Sequence, residues 1–145
     1  MTEMTTVNDC RLLDLPRIVR AEGSITPIEG GKHVPFEIAR VYYLYDVPGG
    51  SSRGGHAHKQ LLQLMVAVMG SFDVVLDDGF TRRRVSLNRG YYGLYLPNLI
   101  WRELENFSSG AICVVLASQP YQESEYIREY SSFVQYKKSV GEMVR

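Results

Sequence analysis

The sequence predicts an all-β fold, a sandwich or barrel of short strands closed by a short C-terminal helix. Three observations support this. Short runs of β-branched and aromatic side chains recur along the chain. Gly, Pro, Asn and Asp turn signals separate them, as in all-β domains. No sustained helical amphipathic pattern precedes the tail. At 145 residues the chain is most simply one domain, 1–145, long enough to bury a substantial core. No internal repeat, low-complexity run or linker divides it.

The elements follow in chain order. Residues 10–19 read as an N-terminal strand interrupted by Pro16, which belongs at a sheet edge because it has no N–H to donate. Glu22-Gly23 turns the chain into another short strand over 24–28. Gly30-Gly31-Lys32-His33 is a loop, with His33 on the surface. Residues 38–45 are dense in β-branched and aromatic side chains and form a strand. Alternation puts Ile38, Arg40, Tyr42 and Leu44 on one face, and Val41, Tyr43 and Tyr45 on the other. Arginine and tyrosine on the first face make it a candidate pocket wall. The apolar run 64–69 anchors a core strand. Residues 71–77 and 80–87 flank Asp77-Asp78-Gly79, a hairpin signal. Residues 91–96 lead to Pro97 and a strand from Ile100, and 111–117 is a buried-type strand. Residues 129–139 predict a short helix packing Phe133 and Tyr136 on the body.

Composition narrows the function classes. The 16 basic and 16 acidic side chains cancel, so no broad field points to nucleic acid or a membrane surface. The basic run Arg82-Arg83-Arg84 is better read as a solvated strand edge. Ten tyrosines suit strands and polar pockets alike. Cys10 and Cys113 form no CxxC pair and read as free thiols in a reducing cytoplasm. The first residues show neither a basic nor an apolar signal region, and no apolar run is long enough to span a bilayer. A soluble, cytosolic protein is expected.

The chemistry concentrates in residues 50–70. His56 and His58 are two apart, so on a strand both imidazoles share a face. Such a pair suits metal binding or proton transfer. Gly50 is followed by five residues, His56-Ala57-His58, four residues, Gln63, six residues and Gly70. This spacing resembles the first cupin motif, except that Gln63 stands where cupins place a glutamate ligand. Pro97-Asn-Leu-Ile-Trp-Arg102, followed by Asn106, resembles the second, with Arg102 in the place of a histidine ligand and Leu99 in that of the turn glycine. A carboxylate has become a neutral amide and an imidazole a permanent cation. Two histidines beside an arginine make a poor metal site. No metal is therefore expected, and the histidines are free to move protons.

A wider set of segments resembles the nucleotide-sugar 3,4-ketoisomerases of the WxcM-like cupin group. The segments are Arg40-Val-Tyr-Tyr43, Arg53-Gly-Gly-His56-Ala-His58-Lys59 with Gln63, Val75-Leu-Asp-Asp-Gly79, Gly93-Leu-Tyr95, Trp101, Phe107-Ser-Ser109, Val115-Leu-Ala-Ser118, and Tyr121-x-Glu-x-Glu-Tyr126-Ile-Arg128. The likeness runs from about Ile38 onward, and the Arg-Gly-x-His-Ala-His-Lys element is its most specific part. It implies a cupin-like jelly roll and a homodimer that can exchange N-terminal strands. It also implies an activity, moving the keto group of dTDP-4-keto-6-deoxy-D-glucose from C4 to C3 without metal or organic cofactor. The product would feed an aminotransferase making 3-amino-3,6-dideoxy sugars for surface glycans. Arg102 stands where some relatives carry histidine, and Glu22 where an arginine is common; both bear on substrate identity and product configuration.

The residues agree with that chemistry. The shift requires removing the C3 proton, forming an enediol and reprotonating at C4. Histidine can take and return a proton near neutral pH. His56 is the expected base, and His58 its orienting partner or second proton carrier. Tyr42 is expected to hydrogen-bond the sugar oxygens as the enediol forms. Arg40 and Arg53 match a diphosphate; Gln63 is expected on the sugar, Trp101 as a pocket wall, and Arg102 near the sugar or nucleotide. Three other classes stay open. A metal-dependent oxygenase would need more ligands, a nucleotide-sugar epimerase would exchange hydrogens without moving the ketone, and a non-catalytic sugar-binding cupin would exchange none.

Overall fold

The computed structural model describes residues 4–143. Twelve strands and one long helix follow in order among them: β1 Arg11–Asp14, β2 Ile18–Arg20, β3 Gly23–Ile25, β4 Arg40–Leu44, β5 Arg53–His58, β6 Gln63–Met69, β7 Phe72–Asp77, β8 Arg82–Leu87, β9 Tyr92–Leu96, β10 Trp101–Glu105, β11 Ile112–Ala117, β12 Tyr126–Ile127 and α1 Tyr130–Met143. Two five-stranded antiparallel sheets face each other. One has the order β1-β9-β6-β11-β4, the other β12-β5-β10-β7-β8. The expected all-β jelly roll with one C-terminal helix is what the chain forms.

The main core lies between the sheets, where alternate residues of their strands meet, and a second cluster that includes Leu64, Val66 and Leu116 packs on the other face of the first sheet. Met65, Leu94 and Val115 of the first sheet meet Val74, Leu76 and Leu104 of the second. Neighbours are set by the same alternation. On β7, Phe72, Val74 and Leu76 are buried while Asp73 and Val75 between them are only partly covered. The β7–β8 hairpin closes as the Asp-Asp-Gly signal predicts. Asp78 accepts the N–H of Phe80 and Thr81 at 2.8 Å each, and that of Val7 at 2.9 Å. The arginine run lies on the edge strand β8 and is paired locally. Arg82 meets Asp77, Arg84 meets Asp73 and Glu105, and Arg83 donates to the carbonyls of Val7 and Cys10.

The N-terminal region departs from expectation. Residues 10–19 form two strands rather than one interrupted strand, because Pro16 lies in the break between them. The first joins β9. The second pairs only with β3 in a separate hairpin, and β3 ends at Ile25, short of the expected Ile28. Ile18, Val19 and Ile25 on this hairpin are 38%, 58% and 62% exposed.

Helix α1 is longer than expected and covers the outer face of β5. Phe133 is fully buried there with Ala57, Leu99, Trp101 and Ile127. Tyr136, expected to pack like Phe133, stays partly exposed beneath the Lys59 ammonium, 5.4 Å from its ring. Lys137 reaches back from the helix to donate to the carbonyls of Thr5 (2.6 Å) and Leu99 (2.8 Å). Leu99 has φ +58°, the left-handed conformation that suits the turn glycine expected there. Its N–H donates to the His58 carbonyl at 2.8 Å, so this turn is tied to the histidine strand.

Candidate active site

Inward-facing side chains of β4, β5 and β10, with the segment around β12, enclose a cavity of about 420 Å³. That size falls in the range of small-molecule sites. Arg40 and Tyr42 reach it from β4, where the alternate residues Val41 and Tyr43 are mostly exposed. Arg53 and His56 reach it from β5, Arg102 from β10, and Tyr121, Tyr126 and Arg128 from the tail. Among the described residues, four arginines and no carboxylate line it. The cavity is therefore built for an anion.

Parity on β5 sorts its two sides. His56 and His58 face the interior with ring centroids 4.9 Å apart, edge to face. Gly55 lies under the Trp101 indole, so closely that a Cβ there would stand 2.5 Å from a ring carbon. This overturns one expectation. Trp101 does not wall the cavity: it lies on the other face of the sheet, under α1, because Arg102 takes the inward position on β10.

The His56 ring has a defined polarity. Its Nδ1 lies 3.1 Å from the Gly54 carbonyl, which only accepts, so Nδ1 carries the proton and Nε2 is left with its lone pair. Nε2 is buried and makes no hydrogen bond within the protein. Burial, then the Arg102 charge, lowers the His56 pKa to about 3. His58 is fully buried behind it, against Tyr126 at 4.4 Å, and outside the cavity lining. Burial, then Arg102 and His56, lowers its pKa as well. Both rings are neutral at physiological pH.

Gln63 also lies behind the cavity. It is fully buried, accepts a hydrogen bond from Arg102 Nη1, and donates from Nε2 to Tyr42 Oη at 3.0 Å. Arg102, 1% exposed, also donates from Nε to the Ile100 carbonyl at 3.2 Å. Among the described residues no three His, Cys, Asp or Glu side chains are placed to share a metal ion. Glu22 sits in the exposed turn of β2–β3, outside the cavity lining.

The structure thus gathers Arg40, Tyr42, Arg53, His56 and Arg102 at the cavity, puts His58 and Gln63 in the layer behind, and turns Trp101 away. Sequence reasoning assigned no role to Tyr121, Tyr126 or Arg128. Arg128 stacks on Tyr126 at 4.3 Å and pairs with Glu123 at 2.7 Å, and the Arg40 guanidinium lies 5.6 Å from the Tyr121 ring. Their one signal was membership of the Tyr121–Arg128 segment in the family likeness. No local pattern shows that β12 pairs with β5, setting Tyr126 opposite His58.

Comparison with known proteins bears on the same residues. Residues 8–138 match the family model described as FdtA, WxcM-like, C-terminal. The chain belongs to this family. A relative from Aneurinibacillus thermoaerophilus, named TDP-4-oxo-6-deoxy-alpha-D-glucose-3,4-oxoisomerase, is 41% identical over 126 residues, 87% of this chain and 91% of its own. A 3,4-ketoisomerase structure from Helicobacter canadensis is 42% identical with a TM-score of 0.87, covering 90% of this chain and 98% of that one. A mutant of the 3,4-ketoisomerase from Thermoanaerobacterium thermosaccharolyticum, solved in complex with TDP-4-keto-6-deoxyglucose, is 36% identical with a TM-score of 0.87 and covers 90% and 94%. The WxcM-like fold of this chain is the cupin-like jelly roll of those enzymes.

Proposed function

We propose that this protein is a 3,4-ketoisomerase that moves the keto group of dTDP-4-keto-6-deoxy-D-glucose from C4 to C3 by metal-independent proton transfer. The observation that carries this reading is the His56 ring: Nδ1 is held by a backbone carbonyl and Nε2 is free, on the wall of an arginine-lined cavity that Tyr42 also lines. The activities named for the relatives favour the same sugar.

The steps follow from the groups present. His56 Nε2 takes the C3 proton, and the C–H electron pair forms the C3–C4 double bond as the C4 carbonyl oxygen becomes an enediol oxygen. The Tyr42 hydroxyl donates to that oxygen as its charge develops, the kind of interaction that lowers such barriers most. The protonated His56 then delivers its proton to C4 while the C3 hydroxyl passes its own to the C4 oxygen, leaving a ketone at C3 and a hydroxyl at C4. His58, packed edge-on behind His56, holds the ring in place. Arg40, Arg53 and Arg128 supply forked donors for the diphosphate. His56, Tyr42 and these arginines form the working set, with Arg102 behind the sugar.

The enzyme works as a homodimer in the cytoplasm, on a nucleotide sugar bound for amination at C3. Exposed apolar side chains on the β2–β3 hairpin, which pairs with no other strand, favour exchange of this N-terminal element between subunits. Two buried free thiols, Cys10 and Cys113, suit a reducing compartment.

Proton NMR of the purified protein with the sugar nucleotide in deuterated water, chelator present, tests the activity. A 3-keto species is expected, and its couplings give the configuration at C4. Hydrogen exchange with the ketone left at C4 would mean epimerisation instead, and binding without exchange would mean a sugar-binding cupin.

A further inference from the structure

The hydrogen bonds around Gln63 have only one possible direction. A guanidinium donates and never accepts. Arg102 Nη1 points at Gln63, so the carbonyl end of that amide faces Arg102 and the NH₂ end faces Tyr42. An amide nitrogen also only donates, so the phenol oxygen of Tyr42 is the acceptor of that bond. The Tyr42 hydrogen must point elsewhere, and Tyr42 is a cavity-lining residue. Arg102 has little freedom to reverse this arrangement, being buried and tied through Nε to the Ile100 carbonyl.

We propose that Gln63 is a positioning residue: held by Arg102, it fixes Tyr42 as a hydrogen-bond donor toward the substrate oxygen on which negative charge develops. The role rests on the ketoisomerase reading above. Gln63 does not touch the sugar; it acts through Tyr42. Burial raises the Tyr42 pKa, so the phenol stays protonated near neutral pH, while the Arg102 charge and the Gln63 hydrogen bond pull the other way and ease loss of its proton. A glutamate at this position would reverse the bond. Its carboxylate would accept from Tyr42 and withdraw the only hydrogen the phenol has to offer.

The test uses the full-length protein carrying Gln63→Glu or Gln63→Met, each with and without Tyr42→Phe. One readout is the Tyr42 titration by NMR in protein labelled at tyrosine Cζ, its resonance assigned by its loss in Tyr42→Phe. Both Gln63 variants are expected to raise the Tyr42 pKa, the glutamate more. The other readout is steady-state kinetics on the sugar nucleotide. Gln63→Glu is expected to lower kcat by about 100-fold, the scale of a lost oxyanion donor, with KM little changed. In the Tyr42→Phe background it is expected to cost nothing further. An unmoved Tyr42 titration in both variants would overturn the proposal. So would a Gln63→Glu loss that persists in full without the phenol, or one that appears in KM alone. The titration needs no substrate, so absence of isomerisation in the unsubstituted protein would overturn the ketoisomerase reading while leaving the direction of the bond decided.

Discussion

At the level of single residues, the site depends on neutral groups held in fixed protonation states. His56 is oriented by one backbone carbonyl, while burial and then the Arg102 charge keep Nε2 unprotonated far below the usual histidine range. The acid limb of kcat/KM is therefore expected well under pH 6.5, toward the His56 value of about 3. A pH–rate profile on the free enzyme checks this, and a limb near 6.5 would mean that the base is a solvated imidazole. Much of this site was legible in sequence. Two histidines separated by one residue share a strand face, and Arg40 and Tyr42, two apart on another strand, made their common face a candidate pocket wall. Trp101 was misread because its parity against Arg102 depends on which of two adjacent residues faces in, and the sequence offers bulky side chains at both. The layer behind the cavity, where Gln63 meets Tyr42, needs three strands brought together and has no local signal.

At the level of elements, β5 carries the histidines on one face and a glycine on the other for a steric reason. The indole of Trp101 occupies the place of a side chain at Gly55, and α1 presses it there through Phe133. Gly55→Ala is expected to lower stability by roughly 1–3 kcal/mol, as overpacking does, and to lower kcat by tilting the His56 strand. Denaturant unfolding with parallel kinetics checks both, and an unchanged midpoint would show that the indole has room to move. The strands were predictable from alternation, and the β7–β8 hairpin from its Asp-Asp-Gly turn. The helix outran its predicted end because tertiary cover continues past it: Val140 packs against the cluster around Phe133. The split of β1 from β2 was marked by Pro16. That β2 and β3 pair only with each other was not, since whether a local hairpin joins a main sheet depends on strands remote in sequence.

At the level of the whole molecule, the buried neutral histidines couple stability to pH. The pKa of His56 is lowered on folding, so between about 3 and 6.5 the unfolded chain binds more protons than the folded one. Stability is then fully present above 6.5 and lost as pH falls through that window; His58 acts in the same direction. From pH 7 to pH 5 the loss is expected to reach up to about 2 kcal/mol per histidine, and His58→Asn to remove part of it. Chemical denaturation at the two pH values measures this, and equal stability at both would contradict the burial of neutral rings.

The fate of the hydrogen at C3 tests the central claim most directly. dTDP-4-keto-6-deoxyglucose carrying deuterium at C3 would be incubated with the protein and with its His56→Asn variant, chelator present, and followed by NMR. The account predicts that the unsubstituted protein removes the label from C3 as the 3-keto sugar forms, and that His56→Asn leaves both label and ketone where they were. Loss of the label at the same rate in the two proteins would contradict His56 as the base.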